Sequence, residues 1–270
     1  MDRNRPSPLL LRVVSAAVLG PPALAAVWYG GAWLAGLVLI AVALMGWEWA
    51  RLVGRGGFGP AGIAVVATGL AAVAAAADGG LSVGGLVAAG GAVVVFGAAL
   101  AGGAEPLWAA GGTLWLAVGT AAFMVLAALP EAGRDTALWL LAVVWANDTA
   151  AYVCGRTIGG PKLAPRFSPN KTWAGFAGGV ASAGLAGWIA GWLAESGSPL
   201  LLIGLSLLLG VAAQLGDLAE SAAKRHFGVK DASALIPGHG GLLDRVDGLL
   251  AASILAGLLA LATGRSPLLW

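Results

Sequence analysis

The chain has 270 residues, of which 59% are hydrophobic and 10% are charged, and its mean hydropathy is +0.88. Soluble domains usually carry about 25% charge, so this composition predicts an integral membrane protein with the lipid bilayer as its partner. The net charge of +2 does not indicate binding to nucleic acid, and the single cysteine, Cys154, excludes a disulfide framework.

Apolar segments long enough to span a bilayer, which takes about 20 residues, recur along the chain. They lie at about 9–29, 32–50, 60–77, 81–102, 107–128, 137–155, 173–193, 199–216 and 247–264. We therefore predict an all-α polytopic protein with about nine transmembrane helices. The chain, 1–270, is expected to form a single membrane domain, with N-terminal helices at about 9–128 and a C-terminal part at about 137–264 that carries the polar motifs.

The basic residues are distributed unevenly between the predicted loops. If the N-terminus is cytoplasmic, only Arg134 and Arg265 of the 15 Lys and Arg residues fall outside. Cytoplasmic loops are enriched in Lys and Arg, so this distribution predicts a cytoplasmic N-terminus and an external C-terminus. It also predicts that the polar loops 156–172 and 217–246 both face the cytoplasm, where nucleotides are available. The expected location is the cell inner membrane.

The first polar motif lies in the sixth segment, where Asp148, Tyr152 and Arg156 are four residues apart and share one helix face. An ionisable group within an apolar helix is expected to face the protein interior or a water-filled cavity. The alternative is a purely structural ion pair between Asp148 and Arg156 or a lysine.

The second motif is the loop that precedes the seventh segment, with Ser168, Pro169, Lys171 and Thr172. Hydroxyl and ammonium groups just before a helix N-terminus are typical of phosphate binding. The alternative is a basic juxtamembrane loop that contacts anionic lipid headgroups.

The third motif, 217–247, contains nine of the 28 Lys, Arg, Asp and Glu residues. If the eighth helix continues to 225, Asp217, Glu220, Ser221 and Lys224 share a face, and Asp244 and Asp247 open the last helix. Carboxylates, cations and glycines together indicate a divalent cation and phosphate, hence phosphoryl or nucleotidyl transfer. The alternative is an ordinary charged loop with ion pairs. His239 alone is weak evidence for a catalytic base.

The run from Ser221 to Asp247 resembles the signature of the phosphatidate cytidylyltransferase (CDP-diacylglycerol synthase) family. It includes Lys224-Arg225, Lys230-Asp231, Pro237-x-His239-Gly240-Gly241 and Asp244-Arg245-x-Asp247, and the likeness extends upstream over roughly 140–250. One departure is Ala174, where many members of the family carry Glu.

The resemblance implies transfer of CMP from CTP to phosphatidate, giving CDP-diacylglycerol and pyrophosphate. It implies Mg²⁺, with or without a second cation, held by Asp217 and Asp244, and a homodimer. The implied catalytic residues are Asp217, Asp244, Asp247, Lys224 and Arg225. The implied substrate-binding residues are Ser168, Lys171, Thr172, Ser221, Lys230, Asp231, His239, Gly240, Gly241, Arg245, Asp148, Tyr152 and Arg156.

Two other functions remain open at the level of the sequence. A CTP-dependent polyprenol or phytol kinase would use the same nucleotide as a phosphoryl donor and would release CDP. An ion-coupled secondary transporter would place charged or broken helices near the bilayer midplane in two matching halves. The charges here instead cluster in one half of the chain.

Overall fold

A computed structural model describes residues 8–194, 198–236 and 240–270 of the chain, with side chains from residue 17 onward. The helices are α1 (Pro8–Tyr29), α2 (Gly31–Val53), α3 (Pro60–Ala101), α4 (Pro106–Ala127), α5 (Gly133–Thr157), α6 (Trp173–Leu193), α7 (Pro199–His226) and α8 (Leu243–Thr263). A two-stranded antiparallel sheet, β1 (Lys162–Ala164) and β2 (Ser168–Thr172), lies between α5 and α6.

The helices confirm the prediction of an all-α polytopic membrane protein. Seven helices within the described ranges, α2 to α8, are long and apolar enough to cross a bilayer. The helix α1 stays helical through Pro21 and Pro22. The number of nine crossings and the orientation of the termini remain predictions.

The long helix α3 folds back on itself near its middle. Gly80 has a φ of 76° and a ψ of −180°, which lies outside the helical region and separates two arms, 60–79 and 81–101. A Cβ at Gly91 would lie 2.3 Å from the Thr68 side chain, and one at Gly84 would lie 2.6 Å from that of Ala76. Such contacts between distant residues require antiparallel arms, so α3 accounts for both the third and the fourth predicted segments.

The helix α4 lies at the centre of the bundle, where it packs against α2, α3, α5 and α8. Gly112 of α4 packs against Trp49 of α2, and a Cβ at Gly112 would lie 1.8 Å from the indole ring. Small residues let the backbones of neighbouring helices approach closely. In lipid such packing is needed because no hydrophobic force drives helices together. The 44 glycines of the chain are consistent with this mode of packing.

One end of the bundle gathers most of the polar connections. Glu105, just before α4, accepts hydrogen bonds from Arg55 after α2 at 3.4 Å and from His226 at the end of α7 at 2.6 Å. The hydrogen bond with His226 and the neighbouring Arg55 charge lower the pKa of Glu105. The sheet of β1 and β2 also lies at this end, since it connects the end of α5 to the start of α6. The sequence interpretation had this segment as a loop only.

Close packing of α7 on α8 is centred on two glycines. A Cβ at Gly216 would lie 2.7 Å from the backbone oxygen of Asp247, and one at Gly248 would lie 3.1 Å from that of Ala213. The two helices therefore touch through backbone next to Asp217 and Asp247. In addition, α7 continues to His226, as the sequence predicted for residues 217–225.

Candidate active site

The β-hairpin supplies a lysine to the C-terminal half of α7. The Nζ of Lys171 on β2 lies 2.6 Å from Oδ2 of Asp217, and Ser221 donates a hydrogen bond to Oδ1 of the same carboxylate at 3.2 Å. The Asp217 side chain is 37% exposed. It therefore combines a partner on each oxygen with access from solvent.

A second lysine joins α7 to α8. The Nζ of Lys224 contacts Oδ1 of Asp244 and lies 2.5 Å from Oε2 of Glu220, one turn earlier on α7. Oδ2 of Asp244 accepts hydrogen bonds from the backbone N–H groups of Ala232 at 3.0 Å and Gly241 at 2.7 Å. Two contacts of Lys224 and two backbone hydrogen bonds thus converge on two carboxylates that are nearly inaccessible to solvent.

The buried carboxylate of Glu220 is only half satisfied. Its side chain is 1% exposed, and within the described part of the chain Oε1 has no hydrogen-bond partner. A buried polar atom without a partner is costly and usually indicates an ion, a water or a functional role. This oxygen belongs to the same group of side chains as Lys224 and Asp244.

The remaining predicted acids come from α5 and α8. Asp148 accepts a hydrogen bond from its neighbour Asn147 at 3.3 Å, and Arg156 donates to the Tyr152 hydroxyl at 2.9 Å. Asp247 is 8% exposed and accepts the N–H of Gly248 at 2.7 Å. The polar stripe predicted on α5 therefore exists, with Arg156 bonded to the tyrosine.

These groups line a single cleft of about 870 Å³ between α5, α6, α7, α8 and the hairpin. The predicted site residues that line it are Asp148, Tyr152, Arg156, Ser168, Lys171, Thr172, Asp217, Ser221, Lys224, Arg225, Lys230, Asp231, Asp244, Arg245 and Asp247. With Glu220, the walls carry six acidic and six basic side chains. Charges of both signs at this density suit a ligand with anionic groups and an accompanying cation.

Two of these residues make contacts that differ from those expected of a ligand-binding group. The Thr172 hydroxyl caps α6 by accepting the N–H of Gly175 at 3.1 Å, and its side chain is buried. Arg225 donates to the backbone oxygens of Phe167 at 3.3 Å and Val229 at 3.0 Å, which ties the hairpin to α7. Their roles toward substrate remain predictions.

The predicted glycines contact a carboxylate rather than the cleft. Gly240 has a φ of 87°, and its amide pairs with the backbone of Ile236. A Cβ at Gly240 or at Gly241 would lie 3.0 Å from Oδ2 of Asp244. At both glycines the backbone therefore lies close to the Asp244 carboxylate. His239 lies outside the described residues.

The sequence interpretation missed three polar residues around the site, which are Asn147, Gln214 and Glu48. Gln214 of α7 donates to Oδ1 of Asn147 at 3.1 Å and to the Phe176 oxygen at 3.2 Å, which holds α5, α6 and α7 together beside Asp148. The third is Glu48 of α2, which is fully buried and bonded to the start of α8. A lone acid in an otherwise apolar segment was the available signal for Glu48.

A metal ion would not find a complete set of protein ligands here. Among the described residues, no three His, Cys, Asp or Glu side chains are grouped so that they could hold one. Asp217 and Asp244 each have a lysine ammonium against one oxygen, so each carboxylate is already paired with a cationic side chain. Mg²⁺ is often bound by one or two carboxylates together with water and substrate phosphates, and the accessible Asp217 carboxylate fits that pattern. Asp244 is bonded on both oxygens and would have to release Lys224 to join it.

The helix bundle and its cleft define a polytopic membrane protein with a cleft of charged side chains at one end. The cytidylyltransferase family matches residues 10–262, so the chain belongs to that family. It is therefore a nucleotidyltransferase.

The relatives support this assignment along most of the chain. A phosphatidate cytidylyltransferase of Brucella suis is 40% identical over 260 residues, which is 92% of each chain. One of Brucella abortus has the same identity and coverage. A phosphatidate cytidylyltransferase of Bacillus subtilis is 43% identical over 129 residues, 47% of this chain and 48% of its own length.

Proposed function

We propose that this protein is a phosphatidate cytidylyltransferase, which converts CTP and phosphatidate to CDP-diacylglycerol and pyrophosphate. The observation that carries the proposal is the single cleft in which three separate sequence motifs meet at the polar end of a membrane helix bundle. Relatives that cover 92% of the chain and bear this name support the choice of phosphatidate as the acceptor.

The reaction needs positioning and charge compensation more than proton transfer. A phosphate oxygen of phosphatidate forms a bond to the α-phosphorus of CTP, and the bond from that phosphorus to the oxygen bridging the β-phosphate breaks. The electron pair leaves with pyrophosphate. The attacking phosphate monoester is already an anion, so no side chain has to remove a proton. Groups that stabilise the charge developing in the transition state are the main requirement.

The two lysines of the cleft supply such groups. Lys171 and Lys224 are paired with Asp217 and Asp244 before substrate arrives. In this proposal Asp217 and Asp244 would hold the cation that accompanies CTP, and the ammonium groups of Lys171 and Lys224 would contact the phosphate oxygens. Arg156, Lys230 and Arg245 line the same cleft and contribute further positive charge toward the leaving pyrophosphate.

The cation of this proposal is Mg²⁺, held by Asp217 and Asp244, with Asp148 and Asp247 in the walls of the same cleft. When bound, it neutralises phosphate charge and polarises the phosphorus–oxygen bonds. Oε1 of Glu220, which has no hydrogen-bond partner among the described residues, would be a further acceptor for a cation or its water.

The setting of this enzyme is the inner membrane of a bacterial cell, with the cleft facing the cytoplasm. The asymmetric distribution of Lys and Arg and the bacterial origin of the relatives support that setting. The family resemblance adds a homodimer, which light scattering of the detergent-solubilised protein would measure.

An assay of the purified protein with CTP labelled in the α-phosphate tests the proposal. Phosphatidate, a polyprenol and phytol are each offered as acceptor in detergent, with and without EDTA. The proposal expects label in a lipid product and release of pyrophosphate with phosphatidate only. Release of CDP with an alcohol acceptor would instead support the kinase. Ion uptake by proteoliposomes of the same protein, without turnover of CTP, would support a transporter.

A further inference from the structure

Glu48 of α2 is bonded to a segment almost two hundred residues further along the chain. Its Oε1 accepts hydrogen bonds from the Ser233 hydroxyl at 2.6 Å and the Leu242 N–H at 2.9 Å. Its Oε2 accepts the Leu243 N–H at 2.7 Å. The side chain is fully buried, with an exposed fraction of 0%. Glu48 therefore fixes the connection between α7 and α8 to a helix of the N-terminal half.

The start of α8 requires such a partner. Its N-cap residue is Leu242, which provides no side-chain hydrogen bond, and the first N–H groups of a helix have no acceptors within the helix. A carboxylate at this position also interacts favourably with the positive end of the helix dipole. Glu48 thus caps α8 from another helix, and the N–H groups stabilise its buried charge.

The same connection carries the donors that hold Asp244. Ala232, which donates to Oδ2 of Asp244, is the direct neighbour of Ser233, which donates to Glu48. Gly241, the other donor to Asp244, directly precedes Leu242. A Cβ at Gly241 would lie 2.7 Å from Oε1 of Glu48 and 3.0 Å from Oδ2 of Asp244. Two carboxylates, Glu48 and Asp244, therefore contact the same stretch of backbone.

We propose that Glu48 is a positioning residue for the transfer reaction, acting through Asp244. By accepting hydrogen bonds from Ser233 and Leu242 of the connection, it keeps the Ala232 and Gly241 N–H groups on one oxygen of Asp244, whose other oxygen contacts Lys224. The inference rests on the proposed function, because Asp244 is a site residue only in that reaction. It assigns to the N-terminal half a part in the site that the C-terminal motifs do not indicate.

The test compares Glu48→Gln with a matched control, Glu105→Gln. The amide keeps the size of the side chain but has one acceptor oxygen for three donors, whereas Glu105 binds Arg55 and His226 at the same end of the bundle. Loss of a supporting interaction typically costs about 10- to 100-fold in activity or metal affinity. We expect a lower kcat and a higher half-saturating Mg²⁺ concentration for Glu48→Gln, an unchanged KM for phosphatidate, and wild-type values for Glu105→Gln.

Hydrogen exchange supplies a readout that does not depend on turnover. In Glu48→Gln the amides of Gly241, Leu242 and Leu243 should exchange faster, while those of α4 and α6 should not change. The variant Ser233→Ala, which removes one donor at the edge of the site, should show a smaller change in the same direction. It remains informative if Glu48→Gln does not fold.

The outcomes separate the inference from the function on which it rests. Wild-type kcat, Mg²⁺ dependence and amide exchange in Glu48→Gln would overturn the inference while wild-type protein still converts phosphatidate. A loss of folding in Glu48→Gln with fully wild-type behaviour of Ser233→Ala would also overturn it. If wild-type protein fails to convert phosphatidate, the proposed function fails, whatever the exchange experiment shows.

Discussion

Lys171 and Asp217 connect the β-hairpin to α7 through a contact of 2.6 Å between Nζ and Oδ2. The lysine side chain is 22% exposed and the carboxylate 37% exposed, so both border the cleft. Ion pairs open to solvent add little to stability, typically less than about 1 kcal/mol, and this pair is only partly buried. Under the proposed function the pair serves ligand binding, in which the ammonium exchanges a carboxylate for a phosphate.

The first prediction concerns this lysine. Lys171→Gln should raise the KM for CTP about tenfold or more, because a charge-assisted contact to phosphate is lost. Lys162→Gln is the matched control, since Lys162 lies on the other strand of the hairpin and is not among the cleft residues. Steady-state kinetics at saturating phosphatidate measures both variants. Equal KM values for the two variants would contradict a role for Lys171 in binding CTP.

The second prediction concerns the two carboxylates assigned to the metal. Asp217→Asn and Asp244→Asn should each reduce Mg²⁺-dependent conversion of phosphatidate by about a hundredfold or more, because the amide removes a negative charge from the cation site. Asp135→Asn, at the opposite end of the bundle beside Arg134, should retain wild-type activity. Assays on membranes with matched protein levels measure all three. Turnover near wild type in either cleft variant would exclude that residue as a required ligand.

A third prediction follows from the incomplete set of protein ligands. Mg²⁺ should bind at least about tenfold more tightly in the presence of CTP than alone, because the phosphates complete its coordination. By linkage, Mg²⁺ must then tighten CTP by the same factor. Calorimetric titration in both orders, without phosphatidate, measures the coupling. Equal Mg²⁺ affinity with and without CTP would indicate a site built from protein alone.

The helices and the cleft residues could be predicted because their signals are local. A run of about 20 apolar residues identifies a helix wherever it packs, and i, i+4 spacing placed Tyr152 next to Arg156 and Ser221 next to Asp217. The partners that depend on tertiary structure could not be predicted. Nothing near Glu48 in the sequence indicates that α2 ends beside α8. The roles of Gly240 and Gly241 beside Asp244 depend on the same packing.

The fourth prediction tests the close packing of α7 on α8. Gly216→Ala places a Cβ 2.7 Å from both the Asp247 oxygen and the Ala251 Cβ, so the helices must separate next to the site. We expect a cost of about 1–3 kcal/mol in stability and a clear loss of activity. Gly204→Ala on the same helix has no atom within 4 Å of the added Cβ and should be neutral or slightly stabilising. Thermal unfolding in detergent and turnover compare the two. Identical behaviour of the two variants would refute the close packing.

The fifth prediction concerns the side of the membrane on which the cleft opens. Cys154 is the only cysteine, so Cys154→Ser provides a background for single cysteines, provided that it retains activity. Lys162→Cys lies on the exposed part of the hairpin at the cleft end, and Arg134→Cys lies at the exposed start of α5 at the other end.

The distribution of Lys and Arg predicts that a membrane-impermeant maleimide labels Arg134→Cys, and not Lys162→Cys, in intact spheroplasts of a bacterial host. Permeabilised spheroplasts should label both, which shows that each cysteine is reactive. Labelling of Lys162→Cys in intact spheroplasts would place the cleft on the outer face. A cytoplasmic supply of CTP could not reach it there, so the same result would also count against the proposed reaction in the cell.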